Sequence, residues 1–232
     1  MGLKMNKKEE FLQHKFTYLK SGVDFKVTNL DLIIYKGPIH DLIRDRKDRG
    51  MLKTPKTYIN KFIDNYVDFL VSSEILSICE ALYGTQLYPY NFMHLLSDEK
   101  TGALAWHRDC YTHRGMQIGT NPAPIKLGIY LTDTNKASGG TGFLPKKYQK
   151  TFDNKYIDYL YMFLFSSKAL YPAHNKGDAM LWDGTVPHTR PKSVNGKTRE
   201  AVIFGLSRSL EFSKSYLNDD DSLLSRYIKA MS

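Results

Sequence analysis

The period of the hydrophobic positions changes near residue 84. Ahead of it, NKKEEFLQHKFTYLK (residues 6–20) sets Phe11, Phe16 and Leu19 among charges, which predicts an amphipathic helix, and VDFKVTNLDLIIYKG reads as a strand running into a Gly-Pro turn. The next stretch, DLIRDRKDRGMLKTPK, is polar, of mixed sign, and punctuated by Gly50 and Pro55. It reads as a solvated connector, with a substrate-gripping lid over residues 44–56 as the alternative. From Tyr58 to Tyr83, Ile59, Phe62, Ile63, Tyr66, Phe69 and Leu70, then Ile75, Leu76, Ile78 and Leu82, recur at helical spacing. Two helices are predicted there, with Gly84 as the C-terminal cap.

After Gly84 the pattern becomes a series of short β-rich runs divided by Gly, Pro and Asn: QLYPYNFMHLL, ALAWHRDC, PIKLGIYLTDT, GGTGFLPKKY, KALYPAH, GDAMLWDG and REAVIFGLSRS. Runs of this length and spacing predict a β-sandwich or barrel. TFDNKYIDYLYMFLFSS (residues 151–167) is apolar enough for a buried helix or for an aromatic flap over a cavity, and the pattern does not choose. EFSKSYLNDDDSLLSRYIKAMS should end in a short helix that packs on the body. The expected organisation is a single domain over residues 1–232, mainly β with flanking α. Residues 1–84 form a helical outer layer, 85–210 the β core and 211–232 a tail.

Composition narrows the class. With 42% hydrophobic residues, 16 Tyr and 12 Phe, the chain can bury a real core, which disfavours disorder. No apolar run approaches the roughly 20 residues of a membrane span, and MGLKMNKKEE lacks the apolar stretch of a signal peptide, so a cytoplasmic protein is expected. Cys79 and Cys110 are too few and too far apart for a disulfide framework or a zinc knuckle. The net charge of +9 permits attraction to nucleic acid, an acidic membrane surface or an anionic small substrate. Lys146, Lys147 and Lys150 with Arg44, Arg46, Lys47 and Arg49 could form a basic rim, against the plainer reading of scattered solvation. No base-reading motif is present.

The candidate chemistry begins at His107-Arg108-Asp109, where imidazole and carboxylate two residues apart on one strand project to the same side and can share a metal ion. His-Arg-Asp also opens a kinase catalytic loop, but Arg114 stands where such a loop needs Asn, and no Asp-Phe-Gly or Gly-rich loop accompanies it. A facial triad needs a second His from a distant strand. His188, His174 and His113 are the candidates. His188, in GDAMLWDGTVPHTRP, is favoured because Arg199 follows it at the head of the apolar run REAVIFGLS, where a buried guanidinium could clamp a dicarboxylate. Trp106 and Trp182 are expected to pack as core beside these strands. Arg108 is expected to be a surface charge or to support the site from behind.

Trp106-His107-Arg108-Asp109, then KLGIYLTDTNKASGGTGFLPKKYQ, then GDAMLWDGTVPH with Arg199 beyond it, form an ordered series over about residues 86–209. This series resembles the phytanoyl-CoA dioxygenase-like family of iron(II)- and 2-oxoglutarate-dependent oxygenases. Pro145-Lys146-Lys147-Tyr148 departs from the family's Pro-Gly-Ser-His near the cavity mouth. The resemblance implies a cupin-like jelly roll, the double-stranded β-helix, buttressed by N-terminal helices. It also implies that His107, Asp109 and His188 bind iron(II) and that Arg199 pairs with the distal carboxylate of 2-oxoglutarate. Molecular oxygen would convert 2-oxoglutarate to succinate and carbon dioxide while a substrate C–H bond is broken.

Asn91 and His94, on the strand before His107, are placed to hydrogen-bond the cosubstrate, but alternation puts them on opposite faces, and His94 is favoured. The carboxylate of Asp109 favours hydroxylation over halogenation, since related halogenases carry a small residue there. The expected activity is hydroxylation of a small or medium-sized metabolite, which the net positive charge allows to be anionic. The rivals are a nucleic-acid-associated oxygenase or binding protein and a metal-binding jelly roll that oxidises nothing.

Overall fold

The computed structural model describes residues 5–26, 30, 52–53, 56–99, 101–110, 124–194, 196–216 and 223–232. In chain order the elements are α1 (Met5–His14), β1 (Phe16–Leu19), β2 (Leu52–Lys53), α2 (Lys56–Ser72), α3 (Glu74–Tyr83), β3 (Tyr88–Ser97), β4 (Leu104–His107) and β5 (Ile125–Tyr130). There follow β6 (Gly142–Phe143), α4 (Lys155–Leu164), β7 (Ala179–Asp183), β8 (His188–Arg190), β9 (Arg199–Ser207), α5 (Leu210–Tyr216) and α6 (Leu223–Met231).

The strands form two antiparallel sheets, a larger one ordered β1-β7-β5-β9-β3-β2 and a smaller one ordered β4-β8-β6. Side-chain alternation divides the larger sheet's two faces between two cores. Leu127, Ile129, Leu181, Val202 and Phe204 look outward onto Tyr66, Phe69, Leu70 and Ile75 of the helical layer. Phe16, Tyr130, Met180, Trp182 and Ala201 look inward and meet Phe143 of the smaller sheet. Because β5 and β9 are covered on both sides, their polar residues are forced into the interior, and these polar residues include Lys126, Arg199 and Glu200.

The two helices expected between Tyr58 and Tyr83 are α2 and α3. Gly84 closes α3 in the left-handed conformation (φ 69°), its N–H bonded to the Glu80 carbonyl. Six of the seven β-rich runs contain a strand. KALYPAH contributes only isolated bridges, from Leu170 to Phe143 and from His174 to Thr134. Three strands were not anticipated. β1 cuts short the helix expected over 6–20, and the chain turns at Lys15, which has a φ of 59°. β2 and β8 are each at most three residues long. The 151–167 stretch is a helix, though only its inner side is buried. The tail forms two helices rather than one. Of these, α6 is tied to the body by an Arg226–Asp64 ion pair and by the Tyr227 hydroxyl donating to the Leu87 carbonyl. Most of the proposed connector at 41–56 lies outside the described residues.

His174 marks how dry the inner core is. Its ring stacks on Tyr130 with centroids 3.9 Å apart and meets Tyr18 edge-on at 4.8 Å. Burial, with Arg199 nearby, pushes its pKa from 6.5 down to about 3 against the pull of Asp178. The folded protein therefore binds fewer protons than the unfolded chain between these values, and His174 destabilises the fold progressively as pH falls from 6.5 towards 3. His174→Phe should keep the stacking and flatten this acid limb. Urea midpoints measured from pH 7 downward would show it, and an equally steep decline in the variant would contradict the assignment.

Candidate metal and cosubstrate site

β4 and β8 pair antiparallel with His107 directly opposite His188, so two residues more than eighty positions apart in sequence face each other on the smaller sheet. Their ring centroids are 4.2 Å apart. Each histidine turns Nδ1 towards a carbonyl two residues back on its own chain, His107 to Ala105 and His188 to Val186, both at 2.9 Å. A carbonyl only accepts, so Nδ1 holds the proton in both rings and the Nε2 lone pairs are left for a cation. Asp109, just past β4, brings Oδ2 to 3.4 Å from His188 Nε2 and accepts the Trp182 indole N–H at 3.1 Å. One ligand atom from each of His107, Asp109 and His188 lies within 4.8 Å of the others.

The charge states suit a cation. Burial tends to raise the Asp109 pKa, but His188, Lys126, His107 and the Trp182 N–H together hold it at about 2, so the group is ionised. Burial and His107 push His188 down to about 4, so it is neutral at physiological pH. Two imidazole nitrogens and one carboxylate oxygen on one side of a cation leave the other side open, the donor set of a non-haem iron(II) centre.

Arg199 heads β9 and is buried on the same inner face. Its Nη2 donates to Thr141 Oγ1 at 3.3 Å, an oxygen that also accepts from the Tyr130 hydroxyl at 3.1 Å. The guanidinium carbon lies 5.3 Å from the Tyr130 ring centroid. Among the described residues no carboxylate pairs with it, and its Nε has no hydrogen-bond partner. A buried guanidinium satisfied by one hydroxyl and one aromatic face has donors left for an anion, as a cosubstrate carboxylate requires.

A family model for phytanoyl-CoA dioxygenase matches residues 38–201, well over half of the chain. The chain belongs to the phytanoyl-CoA dioxygenase family. Family membership brings its cofactor set: iron(II), 2-oxoglutarate and molecular oxygen. Among solved structures, AviO1 from Streptomyces viridochromogenes Tue57 superposes with a TM-score of 0.66 at 16% identity, covering 90% of this chain and 97% of that one. The epimerase SnoN, in complex with Fe3+, alpha ketoglutarate and nogalamycin RO, gives 0.61 at 13%, covering 87% and 82%. EctD from S. alaskensis, with 2-oxoglutarate and 5-hydroxyectoine, gives 0.61 at 12%, covering 88% and 76%. At these identities the likeness establishes a shared jelly-roll fold. By sequence, no curated protein matches the chain.

Asn91 and His94 are on opposite faces, as alternation required, but His94, the one favoured for the cosubstrate, is not on the cosubstrate side. Its Nδ1 is 2.8 Å from the Tyr66 hydroxyl and its Nε2 2.8 Å from a Glu200 carboxylate oxygen, so both nitrogens are engaged on the helix-covered face. Asn91 is on the inner face instead. It pairs with Gly205, where a Cβ would come within 2.2 Å of Asn91 Oδ1, and that buried oxygen has no hydrogen-bond partner. Trp182 is core, but Trp106 is only partly buried. His174 is stacked on Tyr130 away from the triad, and His113 lies outside the described residues, as do Arg44, Arg46, Lys47 and Arg49.

Arg108 is not a surface charge. It is 2% exposed and forms a two-bond bridge to Asp158 of α4, Nε to Oδ2 at 2.9 Å and Nη2 to Oδ1 at 3.2 Å. It also donates to the Thr185 and Lys150 carbonyls. The residue between two candidate ligands therefore clamps α4 and the turn before β8 to β4. Lys126 was not anticipated either. It is 6% exposed, stands between Trp182 and Gly205 in the strand register, and its charge bears on both Asp109 and His188. The one signal for it was a charge inside the apolar run IKLGIYL. Asp158→Ala should cost about 3–5 kcal/mol, because it leaves a buried guanidinium without its carboxylate. Arg108→Met combined with Asp158→Leu should lose less. Urea denaturation of the two variants checks the order, and equal losses would contradict the clamp.

Proposed function

We propose that this family member is an iron(II)- and 2-oxoglutarate-dependent hydroxylase of a small or medium-sized anionic metabolite, built as a single oxygenase domain. The observation that carries the reading is the convergence of two Nδ1-protonated histidines and an ionised aspartate on one point, with a buried guanidinium on the same inner face. His107, Asp109 and His188 hold the metal through Nε2, a carboxylate oxygen and Nε2. Arg199 takes the distal carboxylate of 2-oxoglutarate, with Thr141 fixing the guanidinium's orientation.

Iron(II) with 2-oxoglutarate supplies the oxidising chemistry, consuming oxygen and releasing succinate and carbon dioxide. The chain's own task is to orient and to exclude water. Trp182 holds one oxygen of Asp109 by its indole N–H, and the carbonyls of Ala105 and Val186 fix the histidine tautomers. Lys126 adds a positive charge beside the one carboxylate of the triad, which supports an anionic group on the substrate. Asn91 Oδ1 offers an acceptor on the same inner row.

Hydroxylation rests on Asp109, whose carboxylate occupies the position that a halide would need. Structures of this fold include an epimerase and one with 2-oxoglutarate and 5-hydroxyectoine, so the outcome depends on which substrate bond is presented to the metal.

Purified protein supplied with iron(II), ascorbate and 2-oxoglutarate should form succinate, and Asp109→Ala should abolish this. Succinate at the wild-type rate from that variant would reject the triad. Arg199→Ala should weaken 2-oxoglutarate binding about tenfold to a hundredfold, the worth of one charge-assisted contact, while iron(II) affinity is retained. Calorimetric titration separates the two affinities, and unchanged cosubstrate affinity would reject the Arg199 assignment.

A further inference from the structure

We propose that the outward face of α4 is a docking surface for an anionic lipid bilayer. The helix has two sharply different sides. Asp158 and Met162 are fully buried on one side, and Asp158 is held there by Arg108. On the other side Tyr156 is 79% exposed, Ile157 50%, Leu160 58%, Phe163 69% and Leu164 64%. Spacings of three and four residues gather these five on one stripe. The stripe cannot rotate into the core without breaking the buried Arg108–Asp158 pair, so its exposure is imposed by the fold. Half of a ten-residue helix showing large apolar side chains to solvent marks an interaction surface.

The charge around the stripe selects the occupant. From Pro145 to Leu170 the chain carries Lys146, Lys147, Lys150, Lys155 and Lys168 against two aspartates, one of them the buried Asp158 whose charge Arg108 takes. Tyr148 stacks on Phe165 with centroids 4.9 Å apart, which sets the turn bearing Lys146 and Lys147 against the C-terminal end of the helix. The Lys150 carbonyl accepts from Arg108, which places Lys150 beside the clamp. Lys146, Lys147, Lys150 and Lys168 are exposed. The apolar stripe thus belongs to a stretch in which Asp153 is the one exposed acid against four exposed lysines.

A second copy docked on this face across a two-fold axis would set lysine against lysine. Lipid phosphates supply the opposite charge at the rim, while the acyl boundary takes Leu160, Phe163 and Leu164. Tyr156 has an apolar ring and a polar tip, suited to the headgroup level. This inference is independent of the oxygenase reading, since it uses no metal ligand and no cosubstrate.

The test is cosedimentation of the full chain with vesicles of phosphatidylcholine, alone or containing phosphatidylglycerol. Wild-type protein should bind the phosphatidylglycerol vesicles, bind phosphatidylcholine alone far more weakly, and lose affinity as salt is raised. Leu160→Glu with Phe163→Glu should reduce binding by at least about tenfold, because two exposed apolar groups that would enter the acyl boundary become charges. Both positions are exposed, so the variant should melt like wild type and keep its succinate-forming rate. Lys147→Gln with Lys150→Gln should weaken binding through the rim alone. Absence of cosedimentation by wild type, or binding unchanged in both double variants, overturns the proposal. A wild-type dimer by light scattering that Leu160→Glu with Phe163→Glu dissolves, without vesicle binding, also overturns it and assigns the face to a second copy.

Discussion

The register between β4 and β8 is the constraint from which the site follows. Antiparallel pairing sets His107 opposite His188, and a slip of one residue would turn one of the two imidazoles to the opposite side of the sheet, away from the other. Neither strand is long enough to hold that register by ladder bonds alone. The smaller sheet is steadied from outside, by the Arg108–Asp158 bridge that ties α4 to β4 and by Phe143 of β6, which packs against Trp182 at 5.6 Å and against the His188 ring at 6.0 Å. The strands that carry the candidate ligands are thus short pieces held by side chains from longer elements.

Electrostatics divides the interior into two ends. At one, Asp109 is the negative group, ionised despite the cost of burial, with the positive charge of Lys126 bearing on it. At the other, Arg199 is held by Tyr130 and Thr141. Pairing Arg199 internally would have made the core more self-contained. Among the described residues no carboxylate offsets that charge, which leaves a buried guanidinium with a donor unused. Gly128, Met180, Ala201 and Ile203 separate the two ends with small or apolar surface.

The same economy of elements joins the interior to the surface. Arg108 is a neighbour in sequence of two candidate ligands, yet it points away from them and secures α4, whose far side carries the exposed apolar stripe. A single residue therefore connects the candidate metal end of the sandwich to the face on which the bilayer proposal rests.

Local pattern alone was enough for α2, α3 and the β-rich character of the core, because helical and strand periodicities are properties of a few consecutive residues. The ordered series from Trp106 to Arg199 was also enough to name the residues that the fold gathers, since side chains spaced along neighbouring strands of a jelly roll keep their order in the chain. What consecutive residues do not carry is which face of a strand looks inward. Alternation separated Asn91 from His94 but could not tell that Tyr66 and Glu200 would take up His94 on the helical side. Nor could it show that Arg108 would find Asp158 fifty residues away, or that Lys126 would be enclosed beside Asp109. Those outcomes depend on which surfaces pack together, and only the two sheets and the helical layer, once assembled, decide where a polar side chain finds its partner.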